Sequence, residues 1–189
     1  FKHIDNYLQE GINVLMKIFE CDINMAVTNN STFLNLKNVN FYSFNKLHPS
    51  GNVGIQIHHI DPIKNASDTR WYLSLQDLNR IGSYFKNKTY EYHKYISIGG
   101  NGAENPAYYK TLIGTPIKSM IQNNNEARYI SGDVLNGNEI SEDFSVDYYD
   151  EILSVIKIDD KREFLGWLIP GFTKYSLSNT FLSRFISNN

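Results

Sequence analysis

The sequence predicts an α/β (α+β) fold, in which a partial α/β layer is followed by a β-grasp-like unit and a β-rich C-terminal segment. The early part of the chain has the order helix, strand, strand, and the middle has the order strand, glycine-rich loop, strand, short helix, strand. The last part alternates in the manner of strands separated by turns. We expect units at 1–90, 91–132 and 133–189, the first being the C-terminal part of a larger α/β domain.

The first unit opens with an amphipathic helix predicted over 5–20, because apolar side chains recur there at three- and four-residue spacing. Asp5 is a plausible N-cap for this helix. Strands are predicted at 23–27 and 40–44. A helix is favoured over 52–60, although the same residues also alternate as a strand would.

The strongest helix signal of the chain starts at Ser74, after a short extended segment at 71–73. Ser74 and Asp77 form a Ser-x-x-Asp capping pair, and an apolar face follows them as far as Phe85. The polar turn at 86–88 is expected to end this helix.

The β-grasp-like unit is predicted from three strands, at 94–98, 108–113 and 128–131, with a short helix over 117–121. The C-terminal segment is predicted from a tight-turn signal, two extended runs and a final short helix. These four features are Asn136-Gly137, 151–158, 164–169 and 177–186.

Composition narrows the possible partners and cofactors. The 189 residues carry a net charge of −2 without a basic run, so no nucleic-acid partner is expected. The single cysteine, Cys21, can supply neither a four-cysteine zinc site nor an iron–sulfur cluster. No apolar run has the roughly 20 residues that a membrane-spanning helix needs. Because the chain begins at Phe1, we expect further sequence upstream.

The glycine loop is a candidate for a cofactor-binding or ligand-binding site. Its residues are Gly99, Gly100, Asn101 and Gly102. Their N–H groups could cradle a phosphate or another anion, or the glycines could serve only to permit a sharp turn. The sequence leaves both interpretations open.

No catalytic residue and no metal site is predicted elsewhere. Of the clustered histidines, only His58 has ligand-like spacing to Asp61, and two ligands do not make a metal site. The aromatic stretches Tyr90-Glu91-Tyr92 and Tyr148-Tyr149 could stack a flat ligand, pack a subunit interface or pack at a strand edge.

Several blocks, in order between about 46 and 186, resemble the A subunit of the bacterial sodium-translocating NADH:quinone oxidoreductase. The first blocks are His48-Pro49-Ser50-Gly51, His58-His59-Ile60-Asp61-Pro62, Trp71, Gln76-Asp77 and Ile81-Gly82. The next are Ile98-Gly99-Gly100, Asn105-Pro106, Ile113-Gly114-Thr115 and the run from Tyr129 to Gly137. The last are Phe164-Leu165-Gly166-Trp167, Pro170-Gly171, Lys174-Tyr175-Ser176 and Thr180-Phe181-Leu182.

The resemblance implies an internal piece of a longer subunit, with a Rossmann-like layer followed by a soluble-ligand-binding β-grasp (SLBB) module. It implies a peripheral place on the cytoplasmic face of the inner membrane, beside other subunits, especially the B subunit in the membrane. The complex passes electrons from NADH to quinone and translocates Na⁺. Its flavins and iron–sulfur centre belong to other subunits, so this piece is expected to bind no cofactor and to have no activity alone.

The resemblance carries no catalytic residue over to this chain. It favours a scaffold or quinone-proximal role, in which quinone is a possible contact. The alternative is an independent module that binds a small ligand and has no redox role.

Overall fold

The fold was analysed in a computed structural model. It describes residues 7–28, 35–121, 126–141, 143–158, 164–166, 168–172, 174 and 181–185. In these ranges the chain forms three α-helices, two short 3-10 helices and two β-sheets. This arrangement confirms the mixed α/β class that the sequence predicts.

The helical unit contains three helices and a two-stranded parallel sheet. Its elements are α1 (Leu8–Phe19), β1 (Asn24–Val27), β2 (Asn40–Ser43), α2 (Val53–Ile60) and α3 (Leu75–Asn87). Each lies where the sequence predicts it, within a few residues. The buried side chains of Leu8, Ile12, Met25 and Leu78 form the core of this unit.

Helices α1 and α3 approach each other so closely that only glycine fits at their crossing. A Cβ on Gly82 would lie 2.0 Å from the carbonyl oxygen of Tyr7, and one on Gly11 would lie 2.3 Å from that of Leu78. At the same crossing, the Tyr7 backbone N–H donates to the side chain of Asn79 over 3.1 Å. The missing side chains at the two glycines therefore set the distance between the helices.

The second unit is built on a five-stranded mixed sheet in the order β4-β3-β7-β5-β6. Its strands are β3 (His93–Gly99), β4 (Ala107–Leu112), β5 (Ala127–Ser131), β6 (Asn138–Ile140) and β7 (Ile152–Lys157). The central pair, β3 and β7, runs parallel, and the remaining pairs are antiparallel.

Strand β7 joins the two halves of this sheet, because it pairs with β3 on one side and β5 on the other. The predicted boundary at 132 thus passes through a single sheet. The core lies on one face of it and includes Ile96, Ile117, Val146 and Leu153. The 3-10 helix Ile117–Ser119 stands in place of the predicted short helix.

The extended run predicted over 164–169 is wrong. Residues 164–166 and 168 lie in turns and residue 169 in a bend. Leu165 has a φ of 49°, which no strand accommodates. A short apolar run forms a strand only where a partner strand can pair with it.

The structure differs from the sequence prediction in smaller ways at other positions. Strand β6 follows the Asn136-Gly137 turn but is too short for its pattern to predict a strand. Residues 71–73 pair with no strand in the described part of the chain. Of the final helix predicted over 177–186, the described residues include a 3-10 helix at Leu182–Phe185, and residues 177–180 lie outside them. Asp5, the predicted N-cap, also lies outside.

Candidate functional site

The helical unit and the sheet meet at a polar joint between α3 and β3. Strand β7 pairs with β3 only from Ser97 onward, so it leaves Tyr95 without a strand partner on that side. The side-chain amide of Gln76 takes the place of that partner. It accepts from the Tyr95 N–H over 2.7 Å and donates to the Tyr95 carbonyl over 2.9 Å. A helix side chain therefore extends the hydrogen-bond ladder of the sheet.

Arg80 lies at the centre of this joint and is only 6% exposed. Its Nε donates to the carbonyl of Glu91 over 3.0 Å, and its Nη2 donates to the carbonyl of His93 over 3.4 Å. The guanidinium also pairs with the carboxylate of Asp77, to which the Tyr148 hydroxyl donates over 2.9 Å. A buried charge of this kind persists only when it is paired and hydrogen-bonded, as it is here.

Lys94 is a second buried cation beside the joint and is 2% exposed. Its ammonium group donates to the carbonyls of Asp147 and Tyr148, over 3.0 and 2.6 Å. Burial lowers the pKa of Lys94, and burial together with the hydrogen bond to Asp77 raises the pKa of the Tyr148 phenol. These contacts hold the turn before β7 against β3.

Two aromatic pairs surround Arg80 and together form an exposed surface, the aromatic rim: Tyr90, Tyr92, Tyr148 and Tyr149. The ring centroids lie 4.9 Å apart in the first pair and 5.1 Å apart in the second. The Arg80 guanidinium lies over the rings of Tyr90 and Tyr148, at 6.0 and 5.4 Å from their centroids. Tyr149 is 81% exposed. Both aromatic stretches singled out in the sequence are thus brought to one place.

The glycine loop, which the sequence marks as a ligand candidate, is bonded to strand β7. Gly100 has a φ of 111°, and a Cβ there would lie 2.1 Å from the carbonyl oxygen of Val155. The Gly102 N–H donates to that same carbonyl over 3.0 Å, and the side-chain oxygen of Asn101 accepts from the Lys157 N–H over 2.9 Å. These contacts support the interpretation of the loop as a sharp turn.

A cavity of about 340 Å³ adjoins the loop and is a candidate for a small-molecule site. Gly102 lines it, whereas the other three predicted loop residues do not. Its apolar lining comprises Ile98, Ala103, Tyr109, Met120, Ile121 and Val155, and its polar lining comprises Glu104, Asn105, Lys118 and Ser119.

His58 and Asp61, which have ligand-like spacing in the sequence, contact other side chains in the structure. The rings of His58 and His59 contact each other edge to face at 5.3 Å, and Asp61 accepts a hydrogen bond from Arg70 over 2.9 Å. Among the residues described, no group of three or more His, Cys, Asp or Glu side chains is placed to hold a metal ion. Cys21 is exposed as a free thiol.

Inspection of the sequence missed Arg80, Gln76 and Lys94, although each leaves a partial signal. Arg80 follows Asp77 by one helical turn and lies between the apolar positions of α3. Lys94 alternates with Ile96 on the inward face of β3. A lysine at such a position needs buried acceptors, but the pattern does not reveal which ones.

Comparison with known proteins places this architecture in a family. Proteins named as the A subunit of Na(+)-translocating NADH-quinone reductase match most of the chain. That of Histophilus somni (strain 2336) is 32% identical over 184 residues, covering 94% of this chain. Residues 1–90 match the model of the NqrA second alpha/beta domain, and residues 95–142 match that of the NQRA C-terminal (SLBB) domain. The chain belongs to the NqrA family. The resemblance seen in the sequence blocks is thereby confirmed.

Other NqrA relatives match with similar identity. The match to that of Haemophilus influenzae (strain PittEE) is 34% identical and covers 93% of this chain. The match to that of Rhodopirellula baltica (strain DSM 10527 / NCIMB 13988 / SH1) is 38% identical and covers 75% of this chain. The chain spans 41% of the Histophilus relative, 40% of the Haemophilus one and 32% of the Rhodopirellula one. Within the described ranges, no helix has the length and apolarity needed to cross a membrane.

Proposed function

We propose that the chain acts within the peripheral NqrA component of the sodium-pumping NADH:quinone oxidoreductase. In this role it supports electron transfer from NADH to quinone, coupled to Na⁺ translocation, as a scaffold or quinone-proximal element. The observation that carries the proposal is the match of 94% of the chain to proteins of that family.

In this proposal NqrA lies on the cytoplasmic face of the inner membrane and contacts the B subunit in the membrane. NADH, the flavins and the iron–sulfur centre are bound by other subunits, and the chain alone has no activity. Residues 1–90 form one unit of the chain. The β-grasp unit spans 91–132, and strand β7 of the C-terminal segment (133–189) pairs with its strands β3 and β5.

The aromatic rim is the surface that best suits docking on another component of the complex. Tyrosine is enriched at protein interfaces because it buries a large area and keeps a polar tip. The rim rests on Arg80, whose hydrogen bonds reach both units. An interface placed there would therefore engage a well-supported surface with little cost of ordering.

The test measures how well the complex assembles when exposed tyrosines of the aromatic rim are replaced. Tyr92→Ser and Tyr149→Ser are introduced together at the matching positions of a complete NqrA protein. We expect the membrane subunits to recover less NqrA, by about tenfold or more, because buried tyrosines are frequent hot spots. Phe19→Ser is the control, since Phe19 is 62% exposed and Tyr92 is 64% exposed. Equal recovery of the two proteins would contradict docking through the rim.

The cavity beside the glycine loop favours a second candidate function, that of an independent module binding a small ligand without a redox role. Thermal unfolding in the presence of quinones, flavins and nucleotides tests it, because a ligand that binds only the folded chain raises the Tm. A Tm unchanged across the panel would argue against this second function.

A further inference from the structure

The chemistry of the cavity lining restricts what can bind in it. We propose that the cavity takes a small ring-bearing molecule that is neutral or cationic and donates hydrogen bonds, and that it excludes anions. This inference rests on the second proposed function, ligand binding at the cavity, and is independent of membership of the complex.

The inner wall of the cavity suits an apolar ring. Ile98 and Val155 are buried side chains of the sheet core, and Met120 and Ile121 pack against that core while partly exposed. Methionine adapts its shape to a flat ring and makes favourable sulfur–aromatic contacts. A volume of about 340 Å³ lies at the low end of ligand pockets, which span roughly 300–1,000 Å³, so one or two fused rings fit.

Several of the backbone N–H groups that line the cavity are already bonded within the protein. Gly102 donates to the Val155 carbonyl, Ala103 donates to the Gly100 carbonyl, and Ser119 and Met120 donate to carbonyls of their own turn. An anion-binding loop must instead direct free N–H groups at the ligand. At these four positions, no free N–H group is available to an anion.

The charged groups at the mouth of the cavity point to the same conclusion. The Lys118 ammonium lies 2.6 Å from a carboxylate oxygen of Asp143, so its charge is neutralised locally. The Glu104 carboxylate is exposed at the mouth and has no hydrogen bond or ion pair with the described residues. The mouth thus presents an acceptor with a negative charge, which attracts a donor or a cation and repels an anion.

Three rings of nearly equal shape test the proposal by varying charge together with hydrogen-bond donors: benzamidine (cationic, donors only), benzamide (neutral, donors and an acceptor) and benzoate (anionic, acceptors only). Each is titrated into the ¹⁵N-labelled 189-residue chain, and amide chemical shifts are followed. We expect shifts centred on 102–105 and 119–121. Affinity should fall from benzamidine to benzamide to benzoate, by about two- to fivefold a step, the range of an exposed ion pair.

Two variants tie the effect to the cavity. Glu104→Gln should remove the preference for benzamidine over benzamide, whereas Glu139→Gln, which removes an exposed charge from β6, should leave the preference intact. Ser119→Trp places a large side chain at the mouth and should abolish the localised shifts. Since the side chains of Glu104 and Ser119 are exposed, these variants should fold.

The outcomes separate the inference from the function on which it rests. Benzoate binding as tightly as benzamidine, or shifts that persist in Ser119→Trp, would overturn the proposed ligand class while ligand binding by the chain survives. The absence of localised shifts with all three rings would overturn both. Neither result bears on assembly with the membrane subunits, which the rim variants test separately.

Discussion

The helical unit and the five-stranded sheet differ in how much apolar side chain they bury. Among the residues that the structure describes, four buried side chains form the core of the helical unit and eight form that of the sheet. Each fully buried large aliphatic side chain contributes about 1.5–3 kcal/mol, so the hydrophobic core of the sheet is the stronger. The helical unit therefore depends more on its other two supports, the glycine crossing of α1 with α3 and the polar joint at Arg80.

This comparison shows how buried polar groups can serve two roles at once. At the joint, Arg80 and Gln76 of α3 donate to the backbone carbonyls of Glu91 and Tyr95, and Asp77 accepts from the Tyr148 hydroxyl. Directional hydrogen bonds then determine how the weaker unit sits on the stronger one, which apolar contact alone would do less specifically. The same groups carry the aromatic rim, so stability and the proposed docking surface are linked.

Arg80→Met should cause the largest loss in the free energy of unfolding, and it tests the role of the polar joint most directly. It leaves the Asp77 carboxylate unpaired in a mostly buried position, and removing one partner of a buried ion pair costs about 3–5 kcal/mol. Urea denaturation measures the loss. Arg128→Met is the control, because its pair with Glu139 is exposed and 3.7 Å long.

Hydrogen exchange on the same variant sharpens the prediction. Arg80→Met should reduce protection in α1 and α3 more than in β5 and β7, since the sheet retains its own core. Equal loss of protection in both units would show that the helical unit does not depend specifically on the joint.

Gly82→Ala tests the glycine crossing. The new Cβ would meet the carbonyl oxygen of Tyr7 at 2.0 Å and the backbone nitrogen of Gly11 at 2.7 Å, and backbone atoms cannot rotate away. Overpacking costs about 1–3 kcal/mol, and we expect the upper end as a lower midpoint of urea unfolding. Gly54→Ala, in α2 with open space around it, should instead stabilise by about 0.5–1 kcal/mol. Similar losses of stability in both variants would show that the close contact at Gly82 is not the cause.

Two glutamines with the same kind of contact allow the joint to be compared with a contact inside the helical unit. Gln76 bonds both backbone groups of Tyr95, and Gln9 bonds both backbone groups of Lys37 over 2.8 and 3.2 Å. Gln76→Ala should cost about 1–2 kcal/mol, because it leaves the partly buried Tyr95 groups unpaired. Gln9→Ala should cost less than about 0.5 kcal/mol, because water reaches Lys37. Equal costs, measured by thermal and urea unfolding, would refute a special role for the joint.

The smallest expected effect is on the stability of the fold at low pH. The hydrogen bond from His93 lowers the pKa of Glu91 below its usual 4.5. A carboxyl with a lowered folded-state pKa stabilises the fold above pH 4.5, and this contribution is lost as the pH falls through the lower value. Glu91→Gln should therefore flatten the decline of the unfolding free energy below about pH 5 by under about 1 kcal/mol, because both side chains are half-exposed. An unchanged slope would contradict this.

The local elements were predictable because their causes lie within a few residues. The Ser74 hydroxyl accepts from the Asp77 N–H and begins α3, as the capping pair predicts. The alternation at Ile96 and Ile98 marks the buried face of β3. The run over 164–169 shows the limit of this inference, because its pattern resembles a strand but Leu165 adopts a backbone angle that no strand uses.

The candidate site was predictable only in its parts. The two aromatic stretches and the glycine loop are visible as motifs, but Tyr90 and Tyr148 lie far apart in the chain and meet only through Arg80. Glycine content alone left the anion-cradle interpretation of the loop open. The structure weakens it, because the Gly102 N–H is bonded to Val155.

The sequence by itself determined the helices, most of the strands and, through ordered blocks of residues, the family. The tertiary structure alone decided that β7 lies beside β3, that Gln76 completes the ladder of Tyr95, and that Glu104 and Lys118 line the same cavity. The reason is physical. Periodicity, caps and turns act over one or two turns of chain, whereas the joint and the cavity arise from hydrogen bonds and burial between segments that only folding brings together.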